Sequence, residues 1–100
     1  MRLVPSARSR NIIDAALKAA LAHPGGYMGV TREKIAEVAQ CSPGLVSRYL
    51  GTMDATRRTI MREAIRAEAL KIIAQGLAVR DRTALKAPEE LKARALATLG

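Results

Sequence analysis

Residues 42–49 read Ser-Pro-Gly-Leu-Val-Ser-Arg-Tyr, and their spacing suits recognition of a polar edge by a helix. Ser42 is an N-cap type, because its hydroxyl can accept a bond from an orphan N–H of the next turn, and Pro43 fits the first helical position. On the helix that follows, Pro43, Gly44, Ser47 and Arg48 share one side, with Val46 and Leu50 on the other. The outward side is small and polar, so it can approach a base edge closely. Arg48 supplies a planar fork that can make two parallel hydrogen bonds to a guanine. Thr31 and Thr52 are further N-cap residues, each at a helix start where free N–H groups and the helix dipole favour an anion. Arg57 and Arg58 follow Thr52 by five and six positions, as candidate phosphate contacts.

Composition agrees with a polyanionic partner. Among 100 residues, 17 Lys and Arg oppose nine Asp and Glu, a formal charge of +8. Nucleic acid is the first expectation and an anionic membrane surface the second. RNA is disfavoured, since only Tyr27 and Tyr49 can stack bases. No Ser–His–Asp set, carboxylate pair or phosphate-binding glycine loop has the required spacing, so no enzyme and no cofactor are expected. One His and one Cys cannot supply a four-ligand zinc site, and Cys41 alone makes no disulfide framework. His23 reads as an exposed loop residue. No apolar run reaches the length of a bilayer span and no secretory signal is visible, so a bacterial cytoplasmic or nucleoid location is expected.

The elements that must position these residues are helical. Of 49 apolar residues, 19 are Ala and 27 are Leu, Ile, Val or Met, a composition that packs helices and suits strands poorly. Residues 1–10 read as a flexible basic arm, with Arg2, Arg8 and Arg10 as candidate minor-groove contacts. Helical periodicity then predicts helices over 11–22, 32–39, 43–50, 53–78 and 88–99. His23-Pro24-Gly25-Gly26 ends the first, and Tyr27 and Val30 in the 23–30 loop are expected to close over the core. In the long helix, Ile60, Ala64, Ile65, Ala69, Ile72 and Ile73 form one stripe, Met61 and Leu70 widen it, and Gly76 weakens the last turn. Leu91, Ala95, Leu96 and Leu99 make the apolar face of the final helix.

Residues 32–50 have the grammar of a helix-turn-helix, in which a second short helix enters the DNA major groove. Ala36 is the small residue where that helix crosses the first, and Ile35, Ala39, Val46 and Leu50 supply contacts inside the unit. Over about residues 10–60 the chain resembles the N-terminal domain of the tetracycline-repressor (TetR) family of bacterial transcription regulators. The pieces are Ile12-Ile13-Asp14-Ala15-Ala16-Leu17, Thr31 with Ile35-Ala36-Glu37, Ser42-Pro43-Gly44-Leu45-Val46 with Arg48, and Gly51. The resemblance implies an all-α fold with a homeodomain-like three-helix unit at 11–51, followed by a long and a short helix in 52–100 that complete the core or self-associate. It implies that Gly44, Leu45, Ser47, Arg48 and Tyr49 touch DNA, and that Thr31 and Thr52 sit against phosphates. Three positions depart from the family: Gln40 stands where Gly is usual in the turn, Ser47 replaces a frequent Tyr, and Met53 a frequent phosphate-binding Lys.

The function expected is therefore a sequence-specific double-stranded-DNA-binding regulator of bacterial or phage type, with two copies as a homodimer or higher oligomer on a repeated site. The family's large ligand-binding body has no counterpart in these 100 residues, so no small-molecule inducer is expected. The competing readings are a helical adaptor whose basic face binds an acidic protein, and a membrane-surface binder using amphipathic C-terminal helices.

Overall fold

The structure, a computed structural model, describes residues 7–99. Helix α1, Ala7–Ala22, is the element on which the first half is assembled. It buries Ile12, Ala15, Ala16, Leu17, Ala19 and Ala20. Four alanines in that set keep the helix thin, so α3, α5 and α2 all pack against it. A one-turn helix α2, Gly26–Gly29, follows, then α3, Arg32–Ala39, and α4, Pro43–Leu50. Next come α5, Met53–Ala67, and α6, Leu70–Ala78, then the one-turn α7, Arg82–Leu85, and α8, Glu89–Ala97. The described residues contain no strand. Their shortest extent is 18 Å, the thickness of about two helices.

The two short central helices begin and end where their caps dictate. Thr31 Oγ1 accepts from the Lys34 N–H at 3.1 Å, and Ser42 Oγ from the Leu45 N–H at 3.2 Å. Helix α3 stops at Gln40, whose backbone is left-handed at φ 59° and ψ 49°. The Cys41 N–H then donates back to the Ala36 carbonyl at 3.0 Å, which satisfies a terminal acceptor.

Three expectations from the sequence are corrected. Residues 7–10 are not an arm: α1 starts at Ala7, and Arg10 in its first turn pairs with Glu63 of α5 (below). The expected helix over 53–78 is two helices. It breaks at Glu68, again left-handed at φ 56°, with the Ala69 N–H donating to the Ala64 carbonyl at 2.8 Å. The break redirects the stripe, so that Ile60, Met61, Ala64, Ile72 and Ile73 enter one core from two directions. Finally, Leu96 and Leu99 are exposed at 50% and 61%, and only Leu91 and Ala95 of the expected α8 face are buried.

Gly76 also has a different role from the one its propensity suggests. It is buried where α6 meets α5 and α7, and a Cβ there would lie 2.8 Å from the Ala84 Cβ and clash with Met61. Close approach of the helices needs the missing side chain. Ile72, Ile73, Ala84, Leu91 and Ala95 share the core of Ile12, Tyr27, Ile35 and Val46, so the C-terminal helices complete the same core.

Candidate nucleic-acid interface

Helix α4 presents the residues the sequence singles out, with one exception. Val46 and Leu50 are buried, while Pro43, Gly44, Arg48 and Tyr49 are exposed and Ser47 is half-buried. Leu45 is the exception: it turns partly inward, against the core and beside Cys41 and Ile12. Its aliphatic side chain gains more from apolar cover than from water. Arg48 forms no ion pair among the described residues, and α4 carries no acidic residue to neutralise it. The Cys41 thiol is half-buried in the turn and donates to the Ser42 carbonyl at 3.5 Å.

Helix α5 begins at the third cap, where Thr52 Oγ1 accepts from the Ala55 N–H at 3.1 Å. Its arginines divide. Arg58 and Arg62 are exposed without an ion pair among the described residues. Arg57 is half-buried and reaches Asp54 at 3.1 Å. Arg66 is held by Glu63 on the preceding turn.

Of the expected arm contacts, Arg2 lies outside the described residues. Arg8 is exposed on the first turn of α1 and lines a groove of about 490 Å³ with Gln40, Cys41 and Leu45. Arg10 is turned inward: it meets Glu63 of α5 at 2.6 Å and Asp14 at 3.1 Å. Glu63 is 6% exposed and shared by Arg10 and Arg66, so it is a buried acid answered by two cations. The hydrogen bond from Arg66 first, and that from Arg10 next, hold its carboxyl below the usual range despite burial. Arg10 therefore fastens α1 to α5.

Two contacts far apart in sequence hold the segment leading into α3. The Gln75 side-chain amide donates to the Gly25 carbonyl at 2.8 Å and accepts from the Tyr27 N–H at 3.1 Å. A Cβ at Gly26, which has φ 62°, would collide with that amide. His23 is half-buried, not a free loop residue, and its Nδ1 accepts the Gly25 N–H at 2.8 Å.

Sequence reasoning missed Gln75, whose partners are about 50 positions away and leave no local signal. It also missed Arg32, which stands three residues before the buried Ile35 and so shares its side of α3. That phase is a signal, since an arginine there is drawn toward the core. Among the described residues no three His, Cys, Asp or Glu side chains meet in a metal-binding group, and no helix is long and apolar enough to cross a membrane.

No family model, curated protein or solved structure matches the chain.

Proposed function

We propose that the protein is a sequence-specific duplex-DNA-binding regulator of transcription, similar to the DNA-binding domain of the tetracycline-repressor family, with α4 as its recognition helix. The observation that carries this reading is the outward side of α4. Pro43 and Gly44 leave little bulk, Arg48 is exposed and forms no ion pair among the described residues, and no acid lies on the helix. A helix with that side can enter a major groove, and its Arg can read a guanine. Exposed Arg58 and Arg62 and the capped starts of α3, α4 and α5 supply the sequence-independent attraction to phosphates. One eight-residue helix reads few base pairs, so two copies act on a repeated or palindromic site.

Selection of bound sequences from random duplex DNA tests this directly. Recovery of a motif is the expected result, and its symmetry reports how many copies bind. Duplex affinity should fall steeply with salt, at a log–log slope of about −4 for four neutralised phosphates. A library returned without enrichment, or stronger sedimentation with anionic vesicles than with duplex, would overturn the reading.

A further inference from the structure

A groove of about 280 Å³ lies between the end of α2 and the first turns of α3 and α5. Thr31, Arg32, Glu33, Met53 and Arg57 line it. Arg32 opens α3 and Arg57 lies on α5, two helices whose starts are 21 positions apart in sequence, yet their side chains flank one space. In both, the guanidinium Nε is buried without a hydrogen-bond partner among the described residues. A buried cationic donor without an acceptor is costly, and two like charges beside one groove add repulsion. Asp54 relieves Arg57 at one Nη only, and Arg32 forms no ion pair among the described residues.

We infer that this groove is a phosphate site, in which Arg32 and Arg57 jointly hold one tetrahedral oxyanion. Two guanidinium groups can offer several N–H donors to one phosphate and relieve their mutual repulsion. The half-buried Met53 side chain forms an apolar flank of the groove. Glu33, the acid among the lining residues, is exposed to solvent, where its opposing charge is screened. The shared chemistry is a phosphate group, whose source is either a DNA strand or a free phosphate. For the DNA strand, the inference rests on the function proposed above.

The test follows the Arg32 and Arg57 Nε–H resonances of the whole chain during titration with inorganic phosphate and, separately, with a duplex of arbitrary sequence. Saturable movement of both signals with phosphate, and with duplex, is expected, with the exposed Arg82 of α7, which does not line the groove, unmoved. Arg32→Gln and Arg57→Gln should each weaken phosphate binding by about tenfold, and Glu33→Gln should strengthen it. In duplex binding, the double variant should flatten the salt slope by about one and not by two, because both arginines share one phosphate. Movement with phosphate but not duplex keeps the site and assigns it to a free anion, and the DNA proposal then stands or falls on the selection experiment. If duplex binds while both Nε–H signals stay still in both titrations, the groove is not a phosphate site, although the DNA reading survives.

Discussion

The Tyr27 hydroxyl donates to Asp81 Oδ2 at 2.7 Å, across 54 positions of sequence. Asp81 Oδ1 at the same time caps α7, accepting from the Thr83 N–H at 2.8 Å and the Ala84 N–H at 3.2 Å. One carboxylate thus ties the segment before α3 to the start of α7. Tyr27 is fully buried, and Gln75 holds its backbone N–H. The N-terminal and C-terminal halves are joined through these two contacts as well as through shared core.

Tyr27→Phe should therefore cost about 1.5–3 kcal/mol of folding stability, the range for a hydrogen bond to a charged group. Burial, and then the bond to Asp81, raise the Tyr27 pKa well above its ordinary value. A raised folded pKa means that the stabilisation is complete below about pH 10, the unfolded value, and declines as pH rises beyond it. Urea unfolding between neutral and strongly alkaline pH should show this decline in the wild type and a shallower one in Tyr27→Phe. Equal slopes would remove the assigned role.

Glu63 has the opposite sign. Its carboxyl is held below the usual range by Arg66 and Arg10, so its contribution is present above about pH 4.3 and is lost as pH falls below that. Glu63→Gln should lower stability at neutral pH by about 1.5–3 kcal/mol and flatten the acid limb of the stability curve. Because Arg10 also loses its anchor, amide exchange in the first turns of α1 should quicken. An unchanged exchange pattern would mean that Arg10 does not fasten α1.

Gln40 ends α3 in a left-handed conformation that a side chain disfavours. Gln40→Gly should stabilise the protein by about 1 kcal/mol, a rise in Tm of about 4–8 °C for a domain of this size. No hydrogen bond of the Gln40 side chain is at stake among the described contacts, and its backbone N–H bonds to the Ala36 and Glu37 carbonyls persist. A lowered Tm by calorimetry would show that the turn depends on this side chain.

Arg48→Ala should reduce affinity for the selected duplex by about 1–3 kcal/mol and relax preference at one or two base positions. Helicity should be retained, since Ala is the better helix former. Arg48→Lys should fail to restore discrimination, because Lys lacks the planar fork. Binding as tight as wild type by Arg48→Ala would remove it from the interface. Equal weakening on all sequences would make it a phosphate contact.

The limits of α3 and α4 were legible because their signals are local. Thr31 and Ser42 bond within three residues of themselves, Pro43 suits the first helical position after its cap, and Gly51 ends α4 with positive φ. Apolar phase alone also placed Ile35, Val46 and Leu50 inside and Arg48 outside. The break at Glu68 was not legible, since Arg-Ala-Glu-Ala-Leu is good helix sequence throughout and nothing in it asks for a turn. Packing decides it: the chain bends there and buries Ile72 and Ile73 in the core that already holds Ile60 and Met61. The same holds for the long-range polar contacts. Arg10 reads as one more basic residue near an N-terminus until Glu63 stands 2.6 Å away, and Arg32 and Arg57 flank one groove only after α3 and α5 meet. Caps and periodicity act over a few residues, so one chain segment determines them. A buried charge or a shared groove depends on which distant segments become neighbours, and burial of apolar surface over the whole chain selects that arrangement.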